Sequence, residues 1–109
     1  MANTIEKQPY ESFMIGASIY DVAEVGEGIT LLLSTATAID RDGTDVSATL
    51  LDQATLALAS DDQGGLDNVL TIRLRAGSDA GTPYKITFKM ETDLGNKYEV
   101  DVTANVEEK

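Results

Sequence analysis

The chain predicts an all-β protein, an antiparallel immunoglobulin-like (Ig-like) β-sandwich of about seven strands in about one hundred residues. Three observations predict it. Short apolar stretches are separated by Gly- and Asp-rich turns, no segment carries a long amphipathic helical period, and the last third alternates apolar with polar residues up to Val106. The 109 residues suffice for one core, because folding at this length removes roughly 65% of the surface an open chain exposes.

Residues 1–12 hold one Ile and one Pro and no apolar period, so they read as an extended N-terminal arm leading into a sandwich domain at 13–109. Such an arm offers too little apolar surface to offset the ~1 to 2 kcal/mol of backbone entropy lost per residue fixed, and it is expected to order only against a partner. Phe13 begins the first strand. In the following stretch, IGASIYDVAEVGEG, Gly16, Gly26 and Gly28 punctuate short apolar pieces, which fits either one bent strand or a strand, loop and strand. Ile29 to Ala38, ITLLLSTATA, is rich in β-branched residues, lacks Gly and Pro, and stops at Asp40-Arg41-Asp42-Gly43; it reads as a strand. Val46–Leu50 and Ala54–Ala59 follow as two strand-compatible pieces, although LLDQATLALA also suits a turn or two of helix because Leu and Ala favour it.

The C-terminal half has a sharper period. In Val69–Arg75, Leu70, Ile72 and Leu74 share one face, with Thr71, Arg73 and Arg75 on the other. Tyr84, Ile86, Phe88 and Met90 alternate with Lys85, Thr87, Lys89 and Glu91, and Tyr98, Val100, Val102, Ala104 and Val106 alternate with polar residues. A connection of about five residues around Leu94-Gly95-Asn96 makes these two strands a hairpin.

Missing residue types set the chemistry. With no His the chain has no Ser-His-Asp triad and no imidazole ligand, and with no Cys it has no thiol nucleophile, no thiolate zinc site and no disulfide. Lack of Cys suits a reducing compartment. Nineteen Asp and Glu against eight Lys and Arg give a net charge of -11, which repels a phosphate backbone and argues against a nucleic-acid partner. No purely apolar run, Leu31–Leu33 included, exceeds four residues, far short of the ~18 to 20 that cross a bilayer, and charges at Glu6, Lys7 and Glu11 interrupt the only place for a signal peptide, so no membrane role is expected.

Four features bear on a site. Asp40, Asp42, Thr44 and Asp45 resemble the start of a calcium loop, but Gly43 falls fourth and Leu51 twelfth where an EF-hand needs Gly sixth and Glu twelfth, so an Asp-Gly turn explains them and no metal is expected. Asp61, Asp62, Gly64, Gly65 and Asp67 read as a second solvated turn, and no phosphate-cradling motif or cofactor site is visible. Paired acids for glycoside hydrolysis are not singled out among nineteen, so the chain is expected not to be an enzyme. Lys85, Lys89 and Lys97 form a small outer stripe suited to edge protection or to pairing with Glu91, Glu99 and Asp101.

Two sets of aromatic residues remain. Tyr84 opens the penultimate strand as a tyrosine-corner residue does, its ring under the preceding loop and its hydroxyl bonded to backbone upstream; Asp79 lies one residue further away than is usual in such corners. Tyr10, Phe13 and Met14, two aromatics beside a Met ahead of any clean period, are candidate interface anchors.

Gly81-Thr82-Pro83-Tyr84 opening a strand, the turn Thr92-Asp93-Leu94-Gly95, the closing strand Glu99–Val106, the segment Asp42–Val46 and the strand Val69–Arg75 together resemble the phage fibre-tail adaptor family of small Ig-like virion proteins. The resemblance spans roughly the last two thirds of the chain. It implies a non-enzymatic bacteriophage or prophage structural protein, a tail or fibre-tail adaptor that contacts other virion proteins in a symmetric assembly. It also implies a place in the virion after synthesis and assembly in the host cytoplasm. An Ig-like adhesive or carbohydrate-binding module of a bacterial surface protein, or a capsid decoration protein, is the alternative. A self-contained chain starting at Met1 favours the virion role.

Overall fold

The computed structural model describes residues 3–19, 27–59, 68–75 and 82–107. Among these residues seven strands appear in chain order: β1 Asn3–Lys7, β2 Phe13–Ser18, β3 Thr35–Ile39, β4 Leu51–Ala59, β5 Val69–Leu74, β6 Tyr84–Glu91 and β7 Lys97–Val106. A 3₁₀ turn at Leu31–Leu33 precedes β3, and one α-helical turn, α1, spans Ser47–Leu50. The strands form two sheets, ordered β1-β7-β6-β3 and β2-β5-β4. Strands two, five and four on one side and seven, six and three on the other are the constant-type immunoglobulin arrangement, with the first strand moved to the β7 edge.

The alternation read in the sequence decides which faces meet. Leu70, Ile72 and Leu74 of β5 and Ile86, Phe88 and Met90 of β6 are buried, and Ala36, Ala38, Val102, Ala104 and Val106 complete one wall. Ile15 and Ala17 of β2 and Leu51 of β4 complete the other, with Leu56 and Leu58 packed against it. Opposite β-faces point to water, so Lys85 and Lys89 are exposed beside buried neighbours.

Three expectations are corrected. The arm is not free: Asn3–Lys7 pairs with β7 from Val102 to Val106, in parallel, whereas the other strand pairs among the described residues are antiparallel. Pairing supplies what composition lacks, because an edge strand needs one half-buried Ile5, the stem of Lys7 and a ladder. Leu31–Leu33 leaves the strand expected at 29–38: Ser34 Oγ donates to Thr30 O at 2.8 Å and the amides of Leu33 and Ser34 bond back to Thr30 and Leu31, which curls the backbone. Within the strand expected at Val46–Leu50, Ser47–Leu50 is a helical turn with Val46 as its N-cap, since Asp45 Oδ1 accepts from Ser47 N at 2.9 Å and Leu50 N reaches Val46 O. Ala54–Ala59, open between strand and helix in the sequence, is strand and part of β4, which bulges: between Asp52 opposite Arg73 and Ala57 opposite Thr71, Thr55 Oγ1 accepts from Arg73 N at 2.8 Å in place of a ladder carbonyl.

α1 closes the β3 edge and orients the two sheets. Ser47 Oγ accepts from Ala38 N at 2.8 Å, Val46 N reaches Ala38 O, and Gln53 Nε2 donates to Ala36 O at 2.8 Å, so backbone groups that an edge would expose are occupied. Arg75 N donates to Leu50 O at 2.7 Å, which ties the end of β5 to α1, itself bonded to the end of β3 at Ala38. Phe13, opposite Leu74, therefore lies at this end of the sandwich, and Leu31–Leu33, ahead of β3 and beside Glu91, lie at the other.

Candidate functional site: an exposed leucine end

Two turns use the same chemistry. In Asp40–Thr44 the Asp40 carboxylate accepts from the amides of Asp42 (2.9 Å) and Thr44 (3.0 Å), and in Thr92–Asn96 the Thr92 hydroxyl accepts from Leu94 and Asn96, each at 3.3 Å. Each turn has Gly at its fourth position with a positive φ, 83° at Gly43 and 82° at Gly95, which an L side chain disfavours. The Asp40 loop is thus an Asx-stabilised turn, with Asp40 and Asp45 capping backbone amides. Among the described residues no cluster of three acids with metal-site geometry occurs.

The second turn is anchored further. Glu27 is almost completely buried, and its carboxylate accepts from Thr92 Oγ1, from Asn96 Nδ2 at 2.8 Å and from the Tyr98 hydroxyl at 2.9 Å. Burial of a carboxylate is tolerable when donors surround it, and here they come from both sides of the hairpin turn. Next to it, Gly28 N donates to Asp93 Oδ1 at 3.2 Å, Asp93 N reaches Gly28 O at 3.0 Å and Thr30 N reaches Glu91 O at 2.8 Å. Segment 27–30 is consequently laced to the β6–β7 turn.

That lacing presents leucines to solvent. Leu32 is 95% exposed, Leu33 56% and Leu94, at the tip of the β6–β7 turn, 54%; Leu31 is the least open of the four. Single exposed leucines are ordinary; here Leu31–Leu33 are three exposed in succession, and Leu94 lies on the turn at the same end of the sandwich, and exposed apolar residues concentrated at one end of a small domain are of the kind that marks an interaction surface. Below Leu33 a groove of about 500 Å³ runs over Thr35, Lys89, Lys97 and Glu99. Lys97 pairs with Glu91 at 3.8 Å and Lys85 with Asp101 at 3.6 Å, so two of the three stripe lysines meet acids across the hairpin.

The anchors expected at the N-terminal end separate. Tyr10 is 92% exposed on the turn Gln8–Glu11, which Glu11 N closes onto Gln8 O (3.1 Å) while Gln8 N donates to Glu11 Oε1 (2.6 Å). Met14 points outward from β2, and Phe13 packs against the core. Tyr84 is buried at the start of β6, directly after a cis Thr82–Pro83 bond, and Thr82 Oγ1 accepts from Val106 N at 2.9 Å. Asp79, and the acids Asp61, Asp62 and Asp67 of the second turn, lie outside the described residues. Among the described residues no helix is long and apolar enough to cross a membrane.

Sequence reasoning missed the leucine end and Glu27. A Leu-Leu-Leu run flanked by Thr fits a buried strand equally well, and Glu27 finds its partners 65 to 71 residues later in the chain. Compared with known proteins, the chain matches no family model and no curated relative.

Proposed function

We propose that this chain is a non-enzymatic docking protein that joins components of a larger particle, and that the particle is a bacteriophage or prophage virion in which it serves as a tail or fibre-tail adaptor. The observation that carries the docking role is the set of leucines held open at one end, Leu31–Leu33 and Leu94, on a scaffold whose inner faces are otherwise well buried. The virion assignment is supported by the likeness of Gly81–Tyr84, Thr92–Gly95 and Glu99–Val106 to fibre-tail adaptors. Its partners are then other virion proteins in a symmetric assembly, reached in the host cytoplasm. A non-catalytic reading agrees with the use of Glu27, Asp40 and Asp45, whose carboxylates are committed to fixing turns.

Mass spectrometry of purified particles, with Leu32→Asp compared against the natural chain, tests this. The chain is expected in stoichiometric amount, and Leu32→Asp is expected to keep its melting temperature and lose incorporation. Absence from particles refutes the virion assignment, and undiminished incorporation of Leu32→Asp refutes the docking surface.

A further inference from the structure

Independently of the leucine end, we infer that the open edge of β2 pairs with β2 of a second copy of this chain about a twofold axis at Ile15, joining two three-stranded sheets into one of six. In the constant-type arrangement the first strand lies beside the second. Here β1 lies on β7 instead, so among the described residues β2 has β5 as its one neighbour. The bonds Ile19 N to Asn68 O and Arg75 N to Leu50 O set the alternation: Phe13, Ile15 and Ala17 turn amide and carbonyl toward β5, and Met14 and Gly16 turn theirs to the open side. The other outer strands are blunted. Ser47 and Gln53 occupy the backbone of β3, β4 bulges after Asp52, and β1 carries Glu6 and Lys7. β2 has none of these devices, since its register with β5 runs unbroken and residues 12–18 hold no charge and no Pro.

The strand's own sequence names the occupant. Residues 12–18, Ser-Phe-Met-Ile-Gly-Ala-Ser, run antiparallel to themselves about Ile15 with large facing small: Phe13 meets Ala17 of the second copy on the core side, Met14 meets Gly16 on the outer side, and Ser12 meets Ser18 at each end. Met14 is exposed, and a Cβ at Gly16 would lie 3.1 Å from both Thr71 Cγ2 and Val69 Cγ1, so those methyls stand beside bare backbone that the thioether of the facing copy covers. In this register Met14 and Gly16 form the hydrogen-bonded pair, and each such pair exchanges both of its N–H···O bonds. An unrelated extended segment would carry this complement by coincidence, whereas a copy carries it by symmetry. Charge permits the contact: among the described residues the outer face of this sheet presents Arg73 and an Arg75–Asp52 pair at 3.3 Å, and Glu11, at the entry to β2, turns back onto Gln8 N. The net charge of -11 on each copy still repels at long range, which salt screens. A twofold joint uses up both β2 edges, so assembly through them stops at two.

Sedimentation velocity of the natural chain from about 10 µM to about 1 mM gives the stoichiometry, and hydrogen exchange followed by NMR reads the edge itself. A monomer–dimer equilibrium is expected that tightens as salt rises from about 50 to about 300 mM, with the Met14 and Gly16 amides gaining protection as concentration rises. Met14→Lys lowers the net negative charge and so adds no long-range repulsion; it is expected to weaken the dimer at least about tenfold. Ile15→Cys supplies the single thiol of a chain without Cys. It is expected to oxidise to a covalent dimer, because facing residues of a non-hydrogen-bonded pair lie about 4.5 Å apart at Cα, within disulfide range, while Thr37→Cys on the other sheet cross-links at least about tenfold more slowly. A monomer at about 1 mM, Met14 and Gly16 amides that exchange alike at every concentration, a dimer unmoved by Met14→Lys, or equal cross-linking of the two cysteine variants overturns the inference. So does a dimer that Leu32→Asp abolishes, which assigns self-association to the leucine end.

Discussion

Replacing Glu27 with Ala tests whether one buried carboxylate holds the β6–β7 turn and the leucine segment together. The change removes one acceptor each from Thr92 Oγ1, Asn96 Nδ2 and the Tyr98 hydroxyl. Thr92 is 3% exposed and bears the full desolvation cost, whereas Asn96 and Tyr98 are half-buried and recover part of theirs from water. At ~1 to 3 kcal/mol per unsatisfied buried donor, the sum is roughly 3 to 5 kcal/mol. For a domain of this size, each kcal/mol lowers the melting temperature by about 4 to 8 °C, so a fall of at least about 12 °C is expected. Glu27→Gln keeps the shape and one acceptor oxygen, and should lose less than half as much. Urea titration monitored by circular dichroism gives the free energies, and hydrogen exchange at the amides of Thr30 and Asp93 shows whether the lacing loosens in step. A loss under about 1 kcal/mol for Glu27→Ala, with those amides still protected, refutes the assignment of Glu27 as the pin.

Phe88→Ala should destabilise by ~3 to 5 kcal/mol as a large-to-small change at a fully buried site, against no more than roughly 0.5 kcal/mol for Lys89→Ala on the wet face; urea titrations giving the reverse order would move the register of β6 by one residue. Removing residues 1–8 deletes β1 and uncovers the β7 edge, so stability should fall by roughly 2 to 4 kcal/mol, from Ile5 burial and lost ladder bonds; an unchanged melting curve would show that the strand contributes nothing to the folded state. Lys7 is buried with Nζ on Gln8 O at 2.9 Å; desolvation holds its pKa below lysine's ordinary 10.5, while the charge of Glu11 pulls the other way. Between the folded and unfolded pKa values the unfolded chain binds more protons, so this group's contribution to stability rises with pH through that window and is least favourable below it. Lys7→Met should therefore be the more stable protein at neutral pH, with an advantage that shrinks as pH climbs toward 10.5; a gap constant with pH would refute the burial argument.

What the sequence makes legible follows from the range over which each interaction acts. β5, β6 and β7 carry their own period, because each strand has one face on the core and one in water, and the burial of Leu70, Ile72, Ile86, Phe88 and Val102 follows the alternation residue by residue. The two hairpin-like turns are also local: an oxygen-bearing side chain, Asp40 or Thr92, three residues ahead of Gly43 or Gly95. β1 has no such signature, since a parallel edge strand is created by β7 about one hundred residues later and needs only Ile5 and the stem of Lys7 facing inward. Leu31–Leu33 is ambiguous for the same reason. Leucine tolerates strand and turn alike, and the choice is made by Ser34 reaching back to Thr30 and by Glu91, which arrives from β6.

Holding that turn in place is costly for a segment in which no residue is fully buried and Leu32 is almost wholly in water. Fixing three residues costs ~1 to 2 kcal/mol each in backbone entropy, and a leucine in water returns none of the ~1.5 to 3 kcal/mol that full burial yields. The cost is instead offset by polar contacts at the flanks, at ~0.5 to 1.5 kcal/mol apiece: Thr30 with Glu91, Ser34 with both Thr30 and Glu91, and Gly28 with Asp93. A flexible loop would cost less and would keep its leucines out of water part of the time by collapsing onto the sheet. Under the docking role proposed above, fixing them outward in the free chain lowers the entropy lost when another surface covers Leu32.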